Sequence, residues 1–351
     1  MTKADRPHIA LHLLAATALM LGVPTAVQAQ DPSAVEQILS FDEAGEKLAE
    51  PARIAYLAEC AQNAYCQARV HGMEAAAEKY GFEFKLFDAN FSPAEQLKQV
   101  QNAAAEGFDG YIIGPTAAAP ACNMWRNFLV PTEVPVVSLD LPMCGDVHYT
   151  EGLAASVMMQ RQAFFSDHVA NAFESCEGEP CKAAAVGGFV GSDLFNLWQI
   201  AIEEGLAAYP NVEVVVNQPG NFDPRQTLRI IQDGLRAHPD IELVLSPWDD
   251  MTRGAEQAIT SVGLAPGEDV RIYSVGGTID AVEKVKAGIY NETSVLLPFQ
   301  ESYYAGVAMV MALMDQPLNA FIDEALLPEV VDGPGTVFIT QENADSFEPE
   351  Y

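Results

Sequence analysis

Positive charge is scarce in this chain. Of 351 residues, 18 are Lys or Arg against 49 Asp or Glu, a formal net charge of −31. Phosphate backbones would be repelled, so no nucleic-acid partner is expected, and the acidic surface is read as a solvating one. Long apolar runs are missing after residue 23, so no later segment is expected to span a bilayer. There is no Gly-x-Ser-x-Gly elbow, zinc motif or phosphate loop, so the reading is of a non-enzyme without cofactor. Gly187-Gly188-Phe189-Val190-Gly191 follows an expected strand. It lacks the glycine spacing of a dinucleotide loop and is read as a place where backbone approaches a ligand. The six cysteines form no Cys-x-x-Cys pair and have no His cluster beside them. A metal site is therefore the weaker reading and none is expected.

What is present begins with an export signal. Lys3 and Arg6 precede an apolar stretch from Ile9 to Val23, and Val27-Gln28-Ala29 is a small-x-small pattern. Residues 1–29 are expected to be a signal peptide cleaved near Ala29, leaving a mature, soluble, monomeric protein in the periplasm. No cysteine stands at the cleavage point for a lipid anchor. The remainder carries 16 Lys+Arg and 48 Asp+Glu, a net charge near −32. In an oxidising compartment six cysteines suggest disulfides. Short loops favour Cys60–Cys66 and Cys176–Cys181, which leaves Cys122–Cys144, although sequence alone does not fix the pairing.

One unit is used twice. Asn90-Phe91-Ser92-Pro93 leads into a helical pattern and an apolar strand ending at Pro115. Asn221-Phe222-Asp223-Pro224 does the same and ends at Pro247. The two prolines of each copy stand 22 and 23 residues apart. Ser92 with Glu95, and Asp223 with Gln226, have capping-box spacing, and a proline takes the first helical position in both. Around these units, four strands alternate with helices up to Asp140. A long helix is expected from Ala154 to Phe173, after which alternation resumes from Lys182. The expected fold class is α/β, with two doubly wound parallel-sheet lobes.

In open parallel sheets, ligands bind at the carboxyl ends of strands. That rule selects Glu59, Asn63 and Tyr65, then Thr116, Asp140, Asn196, Trp248, Asp249 and Gly276. An indole beside carboxylates suits a sugar or polyol, whose C–H face stacks while its hydroxyls hydrogen-bond, or an organic cation. Taken singly, Asp249 also reads as a helix cap and Trp248 as packing.

The residues His71-Gly72-Met73-Glu74-Ala75-Ala76, Gly107-Phe108-Asp109-Gly110-Tyr111-Ile112-Ile113, Pro135-Val136-Val137-Ser138-Leu139-Asp140, Asp249-Asp250-Met251 and Gly277-Thr278-Ile279-Asp280-Ala281 together resemble the type I periplasmic sugar-binding proteins of bacterial ABC importers, the ribose-binding-like group. The resemblance covers nearly the whole mature chain. It implies two lobes joined by a three-strand hinge and closing on ligand, with crossings near Thr150–Gly152, Pro298 and Asp332–Gly335. It also implies the divisions 1–29 signal peptide, 30–50 lead-in, 51–150 with about 299–331 as first lobe, and 151–298 with about 332–348 as second. Asp140 matches the family's sugar-clamping aspartate. The family's arginine falls at Asn196, its asparagine at Trp248, its loop aspartate at Gly276 and its hinge glutamine near Pro298. Most of the usual pyranose contacts are thus replaced. The resemblance implies delivery to an ABC permease. A related branch serves a sensor kinase instead, as in the trimethylamine-oxide system, and that partner is the alternative.

Overall fold

A computed structural model of the chain describes residues 33–146 and 148–351. The expected signal peptide lies outside the described residues. Helix α1 (Ser33–Ala44) comes first. Then follow β1 (Arg53–Ala58), α2 (Ala64–Tyr80), β2 (Glu83–Asp88), α3 (Pro93–Glu106), β3 (Gly110–Ile113), α4 (Ala118–Met124), β4 (Val136–Leu139) and β5 (Ala155–Met158). The second series is α5 (Gln162–Glu174), β6 (Cys181–Gly187), α6 (Asp193–Ala208), β7 (Val212–Pro219), α7 (Pro224–Ala237), β8 (Ile241–Leu245), α8 (Asp249–Ser261), β9 (Arg271–Gly276), α9 (Ile279–Lys286) and β10 (Glu292–Val295). Helix α10 (Pro298–Leu313), β11 (Ala320–Asp323), the one-turn helix α11 (Pro328–Val331) and β12 (Phe338–Ile339) follow.

The strands form two six-stranded sheets, in the orders β11-β5-β4-β3-β1-β2 and β12-β10-β9-β8-β6-β7. Read from β2 and from β7 inward, the two orders are the same. The first sheet is parallel throughout, and in the second only β12 runs antiparallel, beside β10. Helices cover both faces, so the inner strands are buried on both sides, as β3 and β4 are along their whole length.

The twice-used unit occupies the corresponding place in each lobe. Asn90 and Phe91 (φ 47° and 58°) and Asn221 and Phe222 (φ 54° and 53°) make the same left-handed turn. Two successive left-handed non-glycine residues are costly, so the surroundings must hold them. Matching hydrogen bonds do so. Ala89 N–H donates to the Ala58 carbonyl at 3.0 Å, and Gly220 N–H to that of Gly187 at 2.7 Å. Ser92 caps α3 by accepting from Glu95 N–H at 3.2 Å. Asp223 caps α7 differently from the expected box. Its carboxylate accepts from Arg225 N–H at 2.8 Å, while the Gln226 amide donates to the Pro219 carbonyl at 2.7 Å.

The expected helix from Ala154 begins only at Gln162. Ala155-Ser156-Val157-Met158 is strand β5, wedged between β4 and β11. Alanine and methionine favour helix on propensity, but pairing on both edges and full burial decide otherwise. Strand β11 had no sequence signal. Strand β5 belongs to the first sheet and β6 to the second, so the first crossing between the sheets lies after Met158. The other two crossings run through 296–297 and 324–337. At the first, the Arg161 guanidinium pairs with both oxygens of Asp323, at 3.0 and 2.8 Å.

Three disulfides join Cys60–Cys66, Cys122–Cys144 and Cys176–Cys181. Glu59 lies beside the first pair. With both sulfurs bonded to each other, Cys60 and Cys66 present no thiolate to a metal.

Candidate functional site

The loops after the strands of the two lobes face each other. Contacts between these loops include a ring pair and a hydrogen bond. The Tyr65 ring, on the first turn of α2, meets the Trp248 indole, just before α8, edge to face with centroids 5.4 Å apart. The Asp193 carboxylate, opening α6, accepts from Ala118 N–H at the start of α4, at 2.7 Å.

Beneath Tyr65 lies a charge cluster. Arg69, one turn further along α2, is 1% exposed. Its Nε donates to Glu301 Oε2 at 2.6 Å and its Nη2 pairs with Asp140 Oδ1 at 2.7 Å. Its Nη1 bonds Glu59, and its plane lies over the Tyr65 ring at 4.5 Å. Nη2 also donates to the Tyr65 hydroxyl at 2.9 Å. Gln160, in the first crossing, donates to Asp140 at 2.7 Å and so ties the cluster to the hinge. Asp140 holds φ 74°, a left-handed backbone that Asp tolerates better than most residues.

One guanidinium faces three buried carboxylates. Burial disfavours the Arg69 charge, yet Asp140, Glu301 and Glu59 together hold its pKa well above the usual arginine value. The carboxylates divide the remaining strain. Burial pushes Glu59 up to about 7 and Glu301 up to about 8, with Arg69 pulling the other way in both. Among the described residues, Glu59 Oε2 is buried without a hydrogen-bond partner. The folded protein therefore keeps protons that unfolded glutamates release near their ordinary value of about 4.3. Stability from these groups is full below that value and is lost as pH rises to about 8. The melting temperature is expected to fall by several degrees between pH 5.5 and pH 8.5. Glu301→Gln should flatten that slope, whereas an unchanged slope would show that its origin lies outside Glu301. Calorimetry at four pH values decides this.

The other expected site residues are placed differently. Asp249 is buried and committed within the second lobe. It accepts from Thr278 N–H and hydroxyl, both at 3.0 Å, from Thr293 at 2.9 Å and from Ser274. A Cβ on Gly276 (φ 150°) would strike the Asp249 carboxyl, so glycine is required there. Asn63 caps α2, accepting from Cys66 N–H at 2.8 Å. Thr116 donates twice to Gln96 Oε1, at 3.0 Å from its N–H and 2.9 Å from its hydroxyl. Asn196 stands exposed on α6, away from the cluster's contacts. The structure thus brings Glu59, Tyr65, Asp140 and Trp248 together, sets Asp249 and Gly276 side by side, and leaves Asn63 and Thr116 as loop supports. Arg69, Glu301, Gln160 and Asp193 were not singled out from sequence. Arg69 had a usable signal, since a basic residue four positions after Tyr65 shares its helix face.

Two surface hollows, of about 670 Å³ beside Gly288 and Gln341 and about 440 Å³ against α7, lie on the second lobe and touch none of these residues.

Comparison with known proteins follows the same lines. The model of the family described as periplasmic binding protein domain matches residues 54–317. The galactofuranose-binding protein YtfQ of Escherichia coli K12 is 25% identical over 261 residues, 72% of this chain and 79% of its own length. The ribose import binding protein RbsB of Salmonella typhimurium LT2 is 26% identical over 229 residues, 65% and 74% of the two chains. Among solved structures, an ABC transporter solute binding protein from Bacillus halodurans with bound myo-inositol aligns with TM-score 0.74 at 19% identity, over 87% of this chain and 99% of that one. At that identity it shows the shared fold alone.

Proposed function

The chain belongs to the periplasmic binding protein family, in its type I sugar-binding group, and on that premise we propose that it captures a sugar or polyol between its lobes and delivers it to an ABC importer. The observation that carries this reading is the meeting of Tyr65 and Trp248 from opposite lobes beside the Arg69 cluster. Their rings offer flat apolar surface to the C–H face of a sugar ring. Glu59 Oε2, which no described residue bonds, and the Asp140 carboxylate offer acceptors to its hydroxyls, with Arg69 and Glu301 holding them in place. Asp249 and Gly276 shape the opposite wall. Capture needs no bond-making step. A ligand that touches both lobes stabilises the closed arrangement, and closure creates the surface a permease recognises.

Calorimetric titration of the mature protein with sugars and polyols tests this, after a thermal-shift screen finds the compound. Trp248→Ala and Asp140→Asn should each weaken binding about tenfold or more, equal to about 1.4 kcal/mol. The asparagine retains a side chain suited to the left-handed backbone. Undiminished affinity in both variants would place the ligand elsewhere. Binding of amines or amine oxides in place of sugars would assign the cluster to an organic cation and favour a sensor-kinase partner.

A further inference from the structure

Residues 347–351 lie beyond the span matched by the family model and outside every sequence motif. Phe347 is buried against Gly277 at the end of β9. From there the chain runs without regular structure to Tyr351. Two attachments fix it. Helix α10, which begins where the second crossing enters the first lobe, has Leu297 at its cap position and hence no side chain to satisfy its first N–H groups. Glu350 supplies the missing acceptor, bonding Phe299 N–H at 2.6 Å. The main-chain oxygen of Tyr351 accepts from Ile279 N–H, at the start of α9 in the second lobe, at 2.8 Å.

These attachments deliver the Tyr351 ring to the interlobe boundary. Its centroid stands 5.6 Å from that of Tyr65 and 6.3 Å from that of Trp248, at 29° to the indole plane. Its hydroxyl donates to the Gly276 carbonyl at 2.8 Å. A flat ring lies against an indole and offers a hydroxyl to a strand-end carbonyl. That combination is the one a sugar ring would present to the same walls.

We propose that Glu348–Tyr351 is an intrachain occupant of the ligand cleft, with Tyr351 in the place of the ligand's ring, so that capture requires its displacement and Tyr351 sets affinity and selectivity. The proposal rests on the interlobe face lined by Tyr65, Trp248 and Gly276 being the ligand site. The segment touches both lobes and therefore favours closure by itself. A soluble ligand meets a binding-competent fraction reduced by that internal contact, and its apparent affinity falls in proportion.

The full chain carrying Tyr351→Ala or Tyr351→Phe separates the outcomes, with far-UV circular dichroism confirming the fold. Trp125 and Trp198 are buried and Trp248 is half-buried, so acrylamide quenching of tryptophan emission reports chiefly on Trp248. Quenching should rise clearly in Tyr351→Ala and stay near the original in Tyr351→Phe. A sugar found in the screen should bind Tyr351→Ala about tenfold more tightly, as expected if about nine-tenths of the original population is occupied. Unchanged quenching in Tyr351→Ala overturns the proposal. So does equal or weaker sugar affinity in that variant, which would make Tyr351 a wall of the site. If quenching rises but no sugar or polyol binds either form, the occupant stands and the sugar-capture reading fails.

Discussion

Arg69→Met should destabilise the protein by roughly 3–5 kcal/mol at pH 8, the cost typical of removing one partner from a buried ionic cluster. At about 2–4 °C per kcal/mol for a chain of this size class, the melting temperature should fall by on the order of 10 °C. Methionine fills much of the arginine stem's volume, so cavity formation contributes little and the loss is electrostatic. Asp140, Glu301 and Glu59 would be left buried without a cation. Glu59 and Glu301 could remain buried only by keeping their protons, which makes the deficit strongly pH-dependent. The variant should recover much of its stability near pH 5, where Glu59 and Glu301 are protonated. Arg69→Lys should recover little at pH 8. A single ammonium cannot reproduce the planar fork that serves three carboxylates and the Tyr65 hydroxyl. Thermal melts at pH 5 and pH 8 measure both effects. A methionine variant within about 1 kcal/mol of the original at pH 8 would mean that the carboxylates are hydrated or relaxed, and that the cluster is no buried network.

That cluster also shows where sequence reasoning stops. The alternation of strands and helices was readable because each unit states its own boundaries. Pro93 and Pro224 start helices, Gly81 ends one in a left-handed cap, and β-branched runs fill the strands between. Strands β5 and β11 were not readable because nothing local defines them. Ala155–Met158 is four residues long, and its state is set by neighbours at 137–139 and 320–323. The site divides in the same way. Asp140 follows β4 directly, and Tyr65 and Trp248 stand where the loops leaving β1 and β8 enter helices, so a topological rule reaches them. Arg69 and Glu301 are 232 residues apart, and only the packing of α10 on α2 brings them to 2.6 Å. Asp249 shows the opposite error. A carboxylate at a strand end looked available, but Ser274 within β9, Thr278 just after it and Thr293 within β10 take its acceptor sites. Tyr351 obeys no periodicity at all, since its position follows from Glu350 capping a helix 51 residues away.

The packing that creates the cluster can be tested at one atom. Gly72→Val should destabilise the protein by roughly 3 kcal/mol or more, and Gly72→Ala by roughly 2. Two effects oppose each other at this position. Alanine is better than glycine inside a helix by up to about 1 kcal/mol, so on propensity alone Gly72→Ala would stabilise α2. Contact with α10 decides against it. A Cβ on Gly72 would fall on the carbonyl oxygen of Phe299, 2.9 Å from its carbonyl carbon and 3.1 Å from Tyr303 N. These are backbone atoms of another helix and cannot rotate aside. Helix α10 must retreat, taking Glu301 from Arg69 and Phe299 N–H from Glu350. The cost is therefore overpacking together with weakened ion pairing, and valine adds a second methyl to the clash. Denaturant melts give the stability change. The pH slope gives its origin, because retreat of Glu301 from burial should lower its pKa and flatten the slope as Glu301→Gln does. Stabilisation by alanine would show that α10 shifts freely, and that the spacing between the two helices does not hold the site together.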